Sequence, residues 1–206
     1  MGEAEAPVSV VVLAGGRGQR LGADKAGVEI APGETLLHRA LALVAPLSDD
    51  VIVVRRPDQT LAAPGVRVVS DPPPFEGPLA GILGGIEAAR EEWSLIVACD
   101  MAFLSGPMLR FLMTLRPGHD VVVPRLEVGM EPLNALYHRR VAPAIRAALE
   151  RGERRLVSFY RGLRVRAVGP QELEPYDRDG RAFFNINTPE DLAQARAWLR
   201  EQDASP

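Results

Sequence analysis

Apolar positions along the chain form short runs rich in β-branched residues, and these runs alternate with stretches of helical spacing. The runs predict strands at residues 8–13, 51–54, 66–69, 95–99 and 121–123. The spacing predicts helices at residues 36–44, 79–90 and 107–115. Such alternation favours an α/β fold, a three-layer sandwich with helices on both faces of a mainly parallel, Rossmann-like sheet.

The second half of the chain is less regular. Its pattern predicts strands at 132–137 and 163–168, with helices at 141–149 and 189–199. Thr188 is placed to cap the last helix and Pro189 to occupy its first position. No internal repeat or linker divides the chain, so residues 1–206 are interpreted as one domain.

Composition excludes several classes of protein. The chain has 206 residues, 47% of them hydrophobic, and a net charge of -3. A domain of this size buries a core without covalent cross-links, and it lacks the overall positive charge that binds nucleic acid. Cys99 is the only cysteine, no apolar run has the length of a membrane span, and the N-terminus lacks a signal peptide pattern. We therefore expect a cytoplasmic protein that associates with neither membrane nor nucleic acid.

A glycine-rich loop directly after the first strand carries the strongest chemical signal. Residues 13–25 read LAGGRGQRLGADK. Glycines at this place let backbone N–H groups converge on an anion, and Arg17, Arg20 and Lys25 add cationic donors suited to a triphosphate. Neither the Walker A pattern nor the dinucleotide fingerprint fits this spacing. The competing interpretation is a surface turn with solvated arginines.

Two aspartates follow predicted strands. Asp100 ends the run 95–99, and ligands of open parallel sheets bind beyond the carboxyl ends of strands, where a carboxylate can hold Mg²⁺. A helix-capping role does not fit, because Asp100 precedes the next helix by too many residues. Asp71 follows the run 66–69; it could accept hydrogen bonds from guanine or ribose, or organise the turn into Pro72.

Further positions have both a structural and a functional interpretation. Gly77 and Pro78 begin a helix. In the structural interpretation this is simply a helix that starts with proline, and in the functional one the small residues let the base or sugar approach closely. Asp24 is interpreted as an ion-pair partner that orients Lys25 or an arginine. A basic cluster could receive a phosphate, although a solvated helix end is the preferred interpretation; it comprises Arg151, Arg154 and Arg155.

Several segments carry a family resemblance. Residues 13–25 resemble the signature loop of the nucleotidyltransferases that activate sugars, isoprenoid precursors and pterins. In order along nearly the whole chain, Asp71 with EGPLAG at 76–81, CDMAFL at 99–104, EPLNALY at 131–137 and NINTPED at 185–191 resemble the MobA-like molybdenum cofactor guanylyltransferases. Two positions depart from the pattern: Ala102 replaces the usual proline, and residues 54–56 lack an asparagine found in some members, which leaves a base contact at Arg55 open.

The resemblance implies a nucleotide-diphospho-sugar transferase type of fold and a reaction. GMP would pass from GTP to the terminal phosphate of molybdenum-bound molybdopterin, with Mg²⁺ as cofactor and pyrophosphate as the second product. The nucleotide-binding half would span about 8–125 and the acceptor-binding half about 126–200. Molybdoenzymes or their chaperones would receive the product. A cytidylyltransferase and a non-catalytic nucleotide-binding regulator are the alternatives.

The resemblance also implies residue roles. The catalytic residues would be Arg20, Lys25 and Asp100, with Asp100 as the metal ligand. Nucleotide binding would involve Leu13, Ala14, Gly15, Gly16, Lys25, Asp71, Gly77, Pro78 and Asp100. The acceptor would meet Asn134, Asn185 and Asn187; for Asn185 and Asn187, completing the metal shell or the N-terminal cap of the last helix are equally open interpretations.

Overall fold

A computed structural model describes residues 6–18, 20–21 and 24–203. Its centre is a mixed sheet whose strands are β1 (Ser9–Leu13), β4 (Asp50–Arg55), β5 (Arg67–Ser70), β6 (Trp93–Ala98), β7 (Val121–Leu126), β8 (Gly129–Met130), β9 (Asn134–His138) and β10 (Val165–Val168). The order across the sheet is β10-β7-β9-β6-β1-β4-β5, and β8 pairs with β7. β9 runs antiparallel to both its neighbours, whereas β6, β1, β4 and β5 are mutually parallel. The predicted mainly parallel sheet is confirmed.

Helices cover both faces of the sheet. They are α1 (Leu36–Val44), α2 (Pro78–Ala88), α3 (Gly106–Thr114), α4 (Ala142–Glu150), α5 (Pro170–Leu173) and α6 (Pro189–Asp203). Alternation along β1 assigns the faces: Val10 and Val12 pack in the core cluster of α1 and α3, and Val11 packs in that of α2 and α4. The three-layer sandwich predicted from the sequence is therefore confirmed.

Small elements outside these layers were not predicted from the sequence. The hairpin of β2 (Glu29–Ala31) and β3 (Glu34–Thr35) packs against α6, and α5 is a single turn. Such short elements show neither clear alternation nor helical periodicity, so the hydrophobic pattern does not reveal them. Predicted boundaries of the longer elements differ from the observed ones by a few residues at most.

The approach of α2 to β1 depends on glycine. A Cβ atom at Gly85 would lie 2.4 Å from Val11 Cγ1, and one at Gly81 would lie 3.3 Å from Leu13 Cδ2 and 3.4 Å from Asp71 Oδ1. The missing side chains let the helix lie against the end of β1. This close packing brings the start of α2 beside the loop that leaves β1. Among the described residues, no helix combines the length and apolarity needed to cross a bilayer.

Candidate active site

The carboxyl ends of three parallel strands meet at one edge of the sheet. Leu13 is in register with Val54 of β4 and Ala98 of β6, so the segments that follow these strands emerge side by side. A cavity of about 540 Å³ opens there. It is lined by Leu13, Gly15, Gly16, Arg17, Lys25, Val54, Arg56, Asp71, Glu76, Gly77, Pro78, Gly81, Ala98, Cys99, Asp100, Leu133 and Arg154. The glycine loop, both candidate aspartates and the start of α2 thus share one cavity.

The first residues of the glycine loop continue β1. The Ala14 N–H donates to the Val54 carbonyl at 2.8 Å, and the Ala14 carbonyl accepts from Gln59 Nε2 at 3.0 Å. Ala14 is fully buried, and its N–H is engaged with β4. Gly15 and Gly16 follow and line the cavity, as Leu13 does. The nucleotide-binding roles of Leu13 and Ala14 stay a prediction.

Lys25 joins two distant segments of the chain. Its ammonium donates to Asp100 Oδ2 at 2.5 Å and to Asn187 Oδ1 at 2.6 Å. These partners lie 75 and 162 residues away in sequence. The side chains of Lys25 and Asp100 are only 15% and 14% exposed, so their ion pair is partly shielded from water. The structure therefore brings three predicted site residues together at one point.

Asn187 reaches Lys25 because its segment is attached to the end of β6. Met101 and Asn185 form an isolated antiparallel bridge, and the Ile186 N–H donates to the Asp100 carbonyl at 3.0 Å. The side chain of Asn185 instead makes a local contact, in which its Nδ2 donates to the Phe183 carbonyl at 3.3 Å.

The same segment also caps α6. Thr188 Oγ1 accepts from the Asp191 N–H at 3.1 Å, and Asp191 Oδ2 accepts from the N–H groups of Asn187 and Thr188 at 2.9 and 2.8 Å. This reciprocal pattern satisfies donors that the first turn of a helix leaves unpaired. The capping interpretation is confirmed, and it coexists with the contact between Asn187 and Lys25.

Asp71 is a buried carboxylate on the side of the cavity opposite Asp100. The pKa of Asp71 is raised to about 6, chiefly by burial and to a lesser extent by the charge of Glu76, against the lowering effects of the Gly77 N–H and the charge of Arg56. At neutral pH the carboxylate is therefore mainly ionised and able to accept hydrogen bonds. Gly77 adopts φ +95° immediately before Pro78 begins α2, a conformation that favours glycine, and the predicted helix start is confirmed.

The predicted cations of the glycine loop differ in position. Arg17 lines the cavity and lies 3.8 Å from Asp58, whereas Arg20 is exposed and is not among the lining residues. The catalytic role of Arg20 stays a prediction. Asp24 pairs with an arginine, Arg56 Nη2, at 3.0 Å, which confirms one of the two partners expected for it.

Residues from the second half of the chain form another wall of the cavity. Leu133 lines the cavity, and burial together with the charge of Asp100 raises the pKa of Glu131. Arg154 is exposed yet lines the cavity as well, which its interpretation as a solvated helix end did not anticipate. That interpretation fits Arg151, which is exposed and pairs with Glu153 at 2.7 Å. The sequence offered Arg154 as a possible phosphate contact, but it could not show that this residue shares a cavity with the glycine loop, because that placement depends on the fold.

Asn134 and Cys99 are buried rather than presented to solvent. Neither amide atom of Asn134 has a hydrogen-bond partner among the described residues, and the residue does not line the cavity. A buried amide in this state is usually satisfied by water, so direct contact of Asn134 with the acceptor stays a prediction. Burial raises the pKa of Cys99 far above its usual range, which agrees with an inert thiol.

Comparison with known proteins identifies the family. The model of the MobA-like NTP transferase domain matches residues 10–166. The chain belongs to this family. Curated relatives include the molybdenum cofactor guanylyltransferases of Desulfosudis oleivorans, 33% identical over 94% of this chain and 96% of the relative, and of Pseudomonas putida, 35% identical over 93% and 99%. The resemblance noted for the sequence motifs is thus confirmed.

Solved structures of other proteins share the fold of this chain. The molybdopterin-guanine dinucleotide biosynthesis protein A of Archaeoglobus fulgidus superposes with a TM-score of 0.82 at 26% identity and covers 94% of this chain and 100% of its own. The 2-C-methyl-D-erythritol 4-phosphate cytidylyltransferase of Thermus thermophilus superposes with a TM-score of 0.69 at 21% identity, covering 94% and 99%. The second likeness supports the nucleotide-diphospho-sugar transferase type of fold alone.

Proposed function

We propose that this MobA-like NTP transferase is a guanylyltransferase. It would transfer GMP from GTP to the terminal phosphate of molybdenum-bound molybdopterin and release pyrophosphate. The observation that carries the proposal is the meeting of Lys25, Asp100 and Asn187 beside the glycine loop. Lys25 and Asp100 line one cavity with Asp71. Relatives named molybdenum cofactor guanylyltransferase that span nearly the whole chain support the choice of substrates.

The nucleotide would lie across the edge of the sheet. The N–H groups of Gly15 and Gly16 and the ammonium of Lys25 would meet the phosphates. Asp71, at the other side of the cavity, would accept hydrogen bonds from the base or ribose. Guanine presents two adjacent donors, N1–H and N2–H₂, that match one carboxylate, which favours GTP over CTP and ATP.

The oxygen atoms around Lys25 suit a Mg²⁺ ion. Asp100 Oδ2 and Asn187 Oδ1 already converge on a cation, the Lys25 ammonium, at 2.5 and 2.6 Å. No group of three or more His, Cys, Asp or Glu side chains that could hold a metal occurs among the described residues. One carboxylate and one amide oxygen are nevertheless sufficient when phosphates and water complete the shell of Mg²⁺. Bound there, the ion would neutralise charge on the triphosphate as pyrophosphate leaves.

The chain's own residues would position the reactants rather than react with them. An acceptor phosphate is already anionic, so it forms a bond to the α-phosphorus without a general base while the bond to the β-phosphate oxygen breaks. If Asp100 and Asn187 held a metal, the Lys25 ammonium would be free to contact the phosphates. Leu133 and Arg154 form the wall on the acceptor side, where the guanidinium of Arg154 would attract the acceptor's phosphate.

The proposed substrates also indicate the partners and the cellular location of the protein. Both are small molecules, and the product would pass to molybdoenzymes or their chaperones. We propose a cytoplasmic location on this ground.

Single-turnover GMP transfer tests the proposal. Purified protein is mixed with GTP, CTP or ATP and with molybdenum-loaded molybdopterin, with and without Mg²⁺, and pyrophosphate release is followed. We expect release with GTP that requires Mg²⁺. In Asp100→Asn we expect transfer to fall far more than GTP binding, because Gly15, Gly16 and Lys25 remain. Preferred turnover of CTP would assign a cytidylyltransferase instead, and GTP binding without any transfer would indicate a regulator.

A further inference from the structure

Arg56, the first residue after β4, makes an unusual set of contacts for a residue at a nucleotide cavity. Its Nη1 donates to the Gly15 carbonyl at 2.6 Å, its Nη2 to Asp24 Oδ1 at 3.0 Å, and its Nε to Asp58 Oδ1 at 3.0 Å. The side chain of Arg56 is 15% exposed. Its burial lowers the pKa of the guanidinium, but the carboxylates of Asp24 and Asp58 together have the larger effect and raise this pKa. Each of the three guanidinium nitrogens thus donates one hydrogen bond to the protein itself, and Arg56 also lines the cavity.

Two of these contacts lie at opposite ends of the glycine loop. Gly15 is the second residue after β1, and Asp24 immediately precedes Lys25. The Lys25 N–H also donates to the Gly16 carbonyl at 3.2 Å, so a backbone bond closes the loop at the same place. A Cβ atom at Gly15 would lie 3.2 Å from Arg56 Cγ, which shows how closely the arginine stem packs against the start of the loop.

Tying the two ends has a direct consequence for nucleotide binding. A loop whose ends are free must be ordered when the ligand arrives, and that entropy reduces affinity; a loop already closed avoids this loss. The contact to Asp24 also fixes the backbone immediately before Lys25, whose ammonium reaches Asp100 and Asn187. One guanidinium therefore sets both the closure of the loop and the starting point of the Lys25 side chain.

We propose that Arg56 is a positioning residue that clamps Gly15 to Asp24 and so holds the two ends of the glycine loop together for the triphosphate. This inference rests on the function proposed above for the cavity. Arg56 acts through the loop rather than on the nucleotide, because each of its three guanidinium nitrogens is already held in place by an acceptor of the protein, on Gly15, Asp24 or Asp58. Lysine would not substitute for it, since a single ammonium lacks the fork that reaches two acceptors in fixed directions.

Three variants separate the clamp from other roles of Arg56. Arg56→Lys keeps the positive charge near Asp71 but removes the fork. Asp24→Ala removes the carboxylate at the end of the loop. Asp58→Ala is the matched control, because it removes a carboxylate from the same guanidinium and leaves the link between Gly15 and Asp24 intact.

Two measurements are made on each variant. Steady-state GMP transfer gives KM for GTP and kcat separately, and amide exchange by NMR follows the Lys25 N–H in the nucleotide-free protein. For Arg56→Lys and Asp24→Ala we expect KM to rise about tenfold, as for loss of one charge-assisted hydrogen bond, with kcat changed less than about threefold. The Lys25 amide should exchange at least about tenfold faster in both. Asp58→Ala should match the wild type in both measurements.

The outcomes are distinguishable. If KM rises in Arg56→Lys while the Lys25 amide keeps its wild-type exchange rate, or if Asp24→Ala binds GTP normally, the clamp is refuted and Arg56 contacts the nucleotide directly. A Lys variant with wild-type KM and exchange also refutes it. If the wild type transfers no GMP but both variants accelerate exchange of the Lys25 amide, the clamp is supported and only the proposed function fails.

Discussion

Replacing Lys25 by methionine should strengthen metal binding to the nucleotide-free protein while it weakens catalysis. The ammonium of Lys25 now lies between Asp100 Oδ2 and Asn187 Oδ1, the two oxygens proposed to hold Mg²⁺. A metal ion entering without nucleotide must displace this cation or remain beside it. Methionine keeps the length of the stem and removes the charge, so the competition disappears.

The size of the effect follows from the ion pair. Unit charges about 4 Å apart interact by about 1 kcal/mol in water and about 4 kcal/mol at the effective dielectric constant typical near a protein surface. Because Lys25 and Asp100 are 15% and 14% exposed, the interaction should exceed the value in water. A gain of about 1.4 kcal/mol already corresponds to tenfold. We therefore expect the Kd for Mn²⁺, used as a probe for Mg²⁺, to fall at least about tenfold.

Electron paramagnetic resonance of free Mn²⁺ measures this Kd directly, without nucleotide and without turnover. Arg17→Gln is the matched control, because it removes another cation that lines the cavity and leaves Asp100 untouched. The reasoning is refuted if Lys25→Met binds Mn²⁺ no more tightly than the wild type, or if Arg17→Gln gains as much. In Lys25→Met, the rate of GMP transfer should fall by about 10²–10³, as for loss of one preorganised donor.

Other perturbations have defined outcomes. Gly77→Ala, at φ +95°, should lose about 1–3 kcal/mol of unfolding free energy in urea titrations, whereas Gly169→Ala, with open space and ordinary φ, should be neutral. Gly85→Ala should cost about 1–3 kcal/mol or more, because its Cβ would lie 2.4 Å from Val11 Cγ1; a wild-type urea midpoint would contradict the packing. The pKa of Asp71 is raised to about 6 in the folded protein, so protonation of this carboxyl should increase the free energy of unfolding as pH falls from 7 toward 4. GTP affinity measured by calorimetry should decrease as pH falls through 6, because the protonated carboxyl accepts hydrogen bonds poorly. An affinity that does not change with pH would exclude Asp71 as a nucleotide ligand.

Fold class was predictable because burial on both faces of a parallel sheet leaves a clear sequence pattern. Strand β1 is apolar at almost every position, and glycines follow it at once. The antiparallel direction of β9 could not be read in the same way, since a buried strand of either direction shows a similar run of apolar residues. The hairpin of β2 and β3 was missed because two or three residues cannot establish a period.

One geometric rule made part of the site predictable from the sequence. Asp71 and Asp100 follow parallel strands, and the rule that ligands bind beyond the carboxyl ends of strands places both at the cavity. Arg56 also follows such a strand, but nothing in the sequence distinguished it from Arg55. The structure separates them: Arg56 turns to the glycine loop, whereas Arg55 Nη1 donates to carbonyls of its own loop.

Asn187 shows why the remaining contacts could not be predicted without the three-dimensional structure. From sequence alone, its segment has a sufficient explanation as the cap of α6, and the capping contacts are indeed present. Its position beside Lys25 depends instead on the bridge of Met101 to Asn185 and on the Ile186 N–H, which fasten this segment to the end of β6. A local pattern can specify which donors a residue satisfies, because those lie within one turn. It cannot specify where the capped helix begins in space, and that placement is what makes the Asn187 amide oxygen available to a cation.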